Sequence, residues 1–127
     1  MTGHLLVPAL DSEFCSTFSK NTIDYLKKNL DFQGVVVSDS LVMHGARQNY
    51  PTIEEAALAA FNAGCDLLLL AGKAGNFELS VSQIKHIHTY LVEAVRLGHI
   101  SELRLDEAVT KILTLKNLYL NYEVTFK

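Results

Sequence analysis

Apolar positions along the chain recur in two alternating ways. Short runs of β-branched residues or leucine are followed by longer stretches in which every third or fourth position is apolar. The first run, residues 2 to 7, reads as a short strand leading to a loop at Pro8. Ser19 then opens a helix on which Ile23, Leu26 and Leu30 share one face. The second run, Val35, Val36 and Val37 after Gly34, is continuous rather than alternating, which suits a strand covered on both faces. It leads through a loop to a well-marked helix. Pro51 precedes it, Thr52 and Glu55 have capping-box spacing, and Gly64 closes the far end. Ala56, Ala57, Ala60 and Phe61 form its core face, the alanines allowing close approach to the sheet and Phe61 filling the remaining volume. The third run covers residues 66 to 70. An amphipathic helix carrying Ile84, Ile87, Leu91 and Val95 follows, and a last helix carries Leu105, Val109, Ile112 and Leu113.

Strands alternating with helices predict an α/β fold with a parallel sheet and right-handed crossovers. Three strands leave two open edges and one uncovered apolar face, a condition that favours pairing with further strand-helix units or self-association. No internal repeat beyond the strand-helix period and no low-complexity linker interrupts the chain, so residues 1–127 are expected to form one unit. Hydrophobic residues make up 49% and charged residues 20%, values that suit a packed core. A net charge of −3, with Lys and Arg scattered along the helices, gives no basic footprint for nucleic acid. No apolar run approaches the eighteen or so residues of a membrane span, and no basic segment leads into an apolar signal core. Neither a nucleic-acid nor a membrane partner is expected, and the cytoplasm is the default location. Cys15 and Cys65 form no CxxC pattern, so two reduced thiols are expected. His86 and His88, two apart on a helix, point to different sides and do not make a shared metal site. No cofactor is expected.

One carboxylate stands out. Asp39 ends the valine strand, and in parallel α/β folds chemistry collects at the carboxyl ends of the strands. The alternative is that Asp39 caps the following turn. The hydroxyl of Ser38 or Ser40 is placed to orient its carboxylate. The loop from Gly72 to Gly75 can cradle an anion with its backbone amides, although a simple turn explains it better because it lacks a full P-loop.

The stretch Gly34-Val35-Val36-Val37-Ser38-Asp39-Ser40-Leu41-Val42-Met43 resembles the nucleophile strand of glycoside hydrolase family 3, in particular its bacterial β-N-acetylhexosaminidase branch. Three further blocks follow the same order. Met1-Thr2-Gly3-His4 with Pro8-Ala9-Leu10-Asp11 resembles the preceding strand and its loop. Ala63-Gly64-Cys65-Asp66-Leu67-Leu68-Leu69 resembles the final strand. Gly98-His99-Ile100-Ser101 with Arg104-Leu105-Asp106-Glu107-Ala108-Val109 and Ile112-Leu113 resembles the closing helices. The resemblance implies a partial (β/α)8 TIM barrel, about the last three strand-helix units with a C-terminal helix. It implies Asp39 as the nucleophile of a retaining glycosidase acting on amino-sugar oligosaccharides. Met43 matches a methionine that lines the sugar pocket, with core packing as its plainer role. His4, at the carboxyl end of the neighbouring strand, is a candidate sugar contact or a structural hydrogen-bonded histidine, and His44 is a loop residue close to Asp39. Two positions depart from the family: Asp31 stands where glycine is usual, in a backbone expected to be left-handed, and Ser40 where a second Asp is common.

The acid/base histidine and aspartate of that branch belong to an earlier loop and have no counterpart here. A full barrel needs about 250 residues, and Met1 coincides with a methionine inside a strand of the family pattern. The chain is therefore expected to be the C-terminal portion of a split, truncated or mis-started glycosidase, inactive alone, with a complementary N-terminal barrel fragment or a second copy as partner. A non-catalytic remnant or interaction module is the alternative. A flavodoxin-like or receiver domain with Asp39 as phosphoacceptor is remote, since that fold has about five strands and no acidic cluster surrounds Asp39.

Overall fold

In the computed structural model the described residues are 1–71 and 79–120. Four α-helices are present among them: α1 Lys20–Asp24, α2 Ile53–Ala63, α3 Val81–Arg96 and α4 Glu102–Leu120. Three extended segments lie between and before them, at residues 1–6, 35–41 and 66–70. The middle and third segments run parallel, paired at Val37 and Leu67. Val36 O accepts from Asp66 N–H (2.7 Å) and Leu67 N–H (3.1 Å), and Ser38 N–H donates to Leu67 O (2.9 Å). The first segment joins the other side of the middle one through Thr2 N–H to Val37 O (2.8 Å). The order is thus first, middle, third, with helices packed on one face, an α/β arrangement.

The expected strands are shorter than their apolar runs. Among the described residues no regular strand forms. The first segment pairs with the middle one at Thr2, and Leu5 and Leu6 beyond it are 71% and 51% exposed. Val7 turns back instead to bridge Asp11. The middle segment is interrupted by an extra residue. Ser38 N–H bonds Leu67 O, but the next bond of the ladder comes from Leu41 N–H to Leu69 O (2.9 Å), so three steps on the middle segment oppose two on the third. Leu69 N–H turns to Ser38 Oγ (2.9 Å) instead of a carbonyl. This is a bulge centred on Asp39 and Ser40, and bulges re-aim side chains at the cost of ladder regularity. The valine run is also covered on one face rather than two: Val36 is buried among the helices, whereas Val35 and Val37 are half-buried on the open side.

The helices follow their local signals with two departures. Ser19 caps α1, its hydroxyl accepting from Thr22 N–H. α1 then widens into a π-helical turn at Tyr25–Asn29, with Leu30 N–H reaching back to Tyr25 O (3.2 Å). The wider turn carries Leu30 off the face shared by Ile23 and Leu26, and it is 61% exposed. Asp31 has φ +51°, the left-handed backbone expected at this position. In α2 both halves of the Thr52/Glu55 capping box are formed, and Ala56, Ala57, Ala60 and Phe61 are buried. Gly64 ends it at φ +122°, where a Cβ would come within 2.8 Å of Ile23 Cγ2. On α3 and α4, Ile87 is buried, while Ile84 and Val109, expected on the core faces, are 44% and 43% exposed at the outer margin of the packing.

The core lies between the middle segment and α2. Phe18, Ile23, Val36, Leu41 and Cys65 close around the α2 alanines, and Ile87 enters from α3. A second cluster, Phe61, Ala94, Ile100 and Ala108, fastens α3 and α4 to the far side of α2. Both cysteines are free. No helix of the described residues is long and apolar enough to cross a membrane.

Candidate active site

Asp39 occupies the bulge at the carboxyl end of the middle segment, half-buried between the fully buried Ser38 and the buried Ser40. The carboxylate is oriented through the backbone rather than through a serine hydroxyl: Ser40 N–H donates to Asp39 Oδ1 at 2.7 Å. Ser38 Oγ is engaged with Leu69 N–H, and Ser40 Oγ is buried with no partner among the described residues. The expected serine-hydroxyl support is therefore replaced, because the bulge turns the Ser40 amide inward and leaves both hydroxyls facing the third segment or the core.

Asp39 N–H faces the first segment, where it donates to Thr2 Oγ1 (3.1 Å). Thr2 Oγ1 lies 3.0 Å from Thr17 Oγ1, which donates to Gly3 O (3.1 Å). The only consistent proton order is Asp39 N–H to Thr2, Thr2 O–H to Thr17, and Thr17 O–H to the Gly3 carbonyl. A hydroxyl relay thus ties the Asp39 backbone to the first segment. In the sequence Thr2 stands only as a member of the Met1–His4 block; the signal for its role is a hydroxyl on the segment beside the Asp39 strand.

His4 approaches the same loop from below. Its Nε2 is 3.1 Å from Ser40 O, and a carbonyl can only accept, so Nε2 carries the proton. Nδ1 then faces Cys15 Sγ at 3.8 Å as the acceptor. The ring stacks on Phe18 at 6.0 Å between centroids, and a Cβ at Gly45 would sit 3.3 Å from His4 Cβ. Both nitrogens are engaged by the protein. Met43 lies at the surface, 36% exposed, just before the 3₁₀ turn His44–Arg47. His44 opens that turn and faces solvent, while Leu41, Val42 and Ala46 anchor it in the core. The structure therefore brings His4, Met43 and His44 to the loop that carries Asp39, with His4 inside and the other two outside. His86 and His88 are both exposed, and no metal-binding group of three appears among the described residues. The Gly72 to Gly75 loop lies outside the described residues.

The opposite end of the segments is built differently. Asp66 is buried, accepting Val36 N–H at Oδ2 (2.9 Å). Arg104 Nη2 stands 2.8 Å and Lys27 Nζ 3.6 Å from its Oδ1. Each cation also donates to a carbonyl past the end of α2, Lys27 to Gly64 O (2.8 Å) and Arg104 to Cys65 O (2.7 Å). The Arg104 guanidinium lies 4.6 Å over the Phe61 ring. These contacts fasten α4 and the turn after α1 to the third segment.

A half-exposed carboxylate at the carboxyl end of a parallel segment occupies the position at which α/β folds commonly place their ligand sites. The chain matches the glycosyl hydrolase family 3 N terminal domain over residues 1–115, and it belongs to that family. A beta-hexosaminidase of Nitrosomonas eutropha is 31% identical over 99 residues, covering 78% of this chain and 28% of the relative. A beta-N-acetylglucosaminidase/beta-glucosidase of Cellulomonas fimi is 32% identical, covering 91% of this chain and 21% of the relative. The solved structure of a family 3 β-N-acetylglucosaminidase from Paenibacillus sp. str. FPU-7 superposes on 100% of this chain and 24% of its own, with a TM-score of 0.81 and 32% identity. The chain thus spans about a quarter of the length of these relatives.

Proposed function

We propose that the chain is the nucleophile-bearing part of a β-N-acetylhexosaminidase-type retaining glycosidase, with Asp39 as the nucleophile and amino-sugar glycosides as substrate. The observation that supports this most is the bulge: it leaves the Asp39 carboxylate half-open at the carboxyl end of the segment while its amide and the Ser40 amide are fixed by Thr2 and by the carboxylate itself. A carboxylate so placed can attack an anomeric carbon to form a glycosyl-enzyme intermediate. Met43 and His44, on the outer side of the loop, are assigned to the sugar pocket. His4 is assigned to its floor, acting on the sugar mainly by holding the Ser40 carbonyl.

On this reading the three segments and their helices form one unit, residues 1–127, equivalent to the last three strand-helix units of a (β/α)8 barrel, with the cytoplasm as the expected compartment. The proton donor comes from an earlier barrel loop outside this chain, so the isolated chain is inactive. The exposed edge formed by Met1, Leu5 and Leu6, 82%, 71% and 51% exposed, supports a partner there. That partner is the preceding barrel fragment, or a second copy. The same edge favours the second reading, a non-catalytic interaction module.

Hydrolysis of a chromogenic N-acetyl-β-glucosaminide, by the chain alone and mixed with a fragment supplying the preceding barrel units, separates these readings. Activity is expected only in the mixture, falling by roughly three orders of magnitude or more with Asp39→Asn. Full activity of Asp39→Asn in the mixture would sink the nucleophile assignment, and inactivity of every combination would leave the interaction module.

A further inference from the structure

Far from Asp39, at the amino-terminal end of the segments, an open cavity of about 600 Å³ lies between the turn after α1, the end of α2 and the beginning of α4. Its walls carry five cations, Lys20, Lys27, Lys28, Arg104 and Lys111, against two carboxylates, Asp24 and Glu107. Counting the buried Asp66 behind the wall, two positive charges remain uncompensated. The pairings show where the excess sits. Lys20 and Lys28 share one carboxylate oxygen of Asp24, at 2.8 and 2.9 Å. Lys27 and Arg104 share one oxygen of Asp66. Lys111 holds Glu107 at 3.1 Å, which Arg104 Nη1 reaches only at 3.9 Å.

Arg104 is underserved as well as crowded. Its Nε and Nη1 are buried and have no hydrogen-bond acceptor among the described residues, although a guanidinium in a protein stays charged and seeks acceptors on both edges. Burial pushes the Lys27 ammonium below its usual range; Asp66 and, more weakly, Glu107 oppose this, and Lys111 and Arg104 add to it by repulsion. The two carboxylates do not fully offset the desolvation and repulsion acting on Lys27. The backbone supplies each of these two cations with one neutral acceptor, the Gly64 carbonyl for Lys27 and the Cys65 carbonyl for Arg104, and no further negative charge. The amino end of the 19-residue α4 opens on the cavity at Ser101, adding the positive pole of a helix on the same side.

We propose that this cavity binds a phosphate-type oxyanion, held by Lys27, Lys28 and Lys111. A tetrahedral dianion supplies the two missing negative charges and more acceptor oxygens than a carboxylate offers. The site lies on the face opposite Asp39 and does not depend on the glycosidase reading. Its ligand is either free phosphate or a phosphoryl group carried on a sugar, which the cavity is large enough to admit.

Titration of the isotope-labelled full chain with inorganic phosphate, at constant ionic strength set with potassium chloride, tests it by amide chemical shifts. Saturable shifts are expected at Gly64, Ser101 and Arg104. Lys111→Met and Lys27→Met each weaken binding at least about fivefold, Lys111→Arg keeps it within about twofold, and Lys116→Met, exposed on α4 away from the cavity, leaves it unchanged. Tighter binding of glucose 6-phosphate than of phosphate assigns the site to a phosphorylated sugar; equal or weaker binding assigns it to the free ion. Shifts that chloride reproduces, or that survive both Lys→Met changes, would overturn the proposal. Because Lys27 also braces α2, Lys111→Met decides the matter if Lys27→Met unfolds the chain.

Discussion

Asp66 and Asp39 sit on neighbouring extended segments, one bonded through its amide to Val36 O and the other three residues beyond Val36, yet their surroundings differ in kind. Asp66 has no exposed side-chain surface and faces two cations and a backbone amide. Asp39 is half-exposed and held by neutral groups, the Ser40 amide at its carboxylate and Thr2 at its own N–H. The first arrangement binds a carboxylate into the scaffold and leaves it nothing to do. The second fixes direction while leaving the charge available, which is what a nucleophile or ligand contact requires. Position at opposite ends of the segments, more than residue type, separates a fastening from a candidate site.

The comparison is broken most directly by removing each charge. Asp66→Asn retains an acceptor for Val36 N–H but leaves Lys27 and Arg104 without their shared counter-ion. Uncompensated buried charge of this kind costs about 3–5 kcal/mol, a large part of the stability of a small domain. Asp39→Asn, in a half-open loop, is expected to shift stability by less than about 1 kcal/mol. Urea midpoints of the two variants measure the contrast, and equal midpoints would show that Asp66 is not the fastening described.

A smaller effect sharpens the other half. Thr2→Val keeps the shape of the side chain but removes the acceptor for Asp39 N–H and the donor to Thr17, at a cost of about 1–2 kcal/mol for a partly buried amide left unpaired. Thr2→Ser restores both bonds. Amide hydrogen exchange at Asp39 is expected to quicken roughly tenfold in Thr2→Val and to return to the original rate in Thr2→Ser. Unchanged exchange in Thr2→Val would mean that the ladder, not the hydroxyl relay, holds the loop.

These two networks also mark what could be read along the chain and what could not. The α2 capping box and the Ser19 cap were legible because each depends on residues within a turn of one another, whereas the left-handed Asp31 followed from the family resemblance, in which glycine is usual at that position. The alternation of apolar runs and amphipathic helices gave the α/β class for the same local reason. The bulge was not legible, since whether Asp39 continues a ladder depends on its register against Leu67 and Leu69. Thr2 meets Asp39 across 37 positions, and Arg104 donates to the Cys65 carbonyl across 39; no periodicity of one segment encodes such pairings. The valine run misled in a related way. A continuous apolar strand implies cover on both faces, but cover is supplied by other parts of a fold, and Val35 and Val37 keep an open side here.

The two cysteines extend the contrast between the buried and the open end to a group whose chemistry can be titrated. Cys65 is fully buried beside Asp66, and burial pushes its thiol up to about 11 from an ordinary 9.0. Cys15 is half-buried against His4. Alkylation of the folded chain is therefore expected to label Cys15 and to spare Cys65 until the chain unfolds, because the thiolate is the reacting form. Stability follows the same proton. Below pH 9 Cys65 is protonated in both states and contributes no pH dependence. Between 9.0 and about 11 the unfolded chain gives up the proton while the folded chain keeps it, so stability falls as pH rises through this window, by about 1.4 kcal/mol per pH unit. Urea unfolding of the chain and of Cys65→Ala at a series of pH values isolates this contribution: the decline should flatten in Cys65→Ala. An undiminished slope would assign the alkaline loss to other groups, and native labelling of Cys65 would show that the floor beneath Asp66 opens more readily than its ion pairs imply.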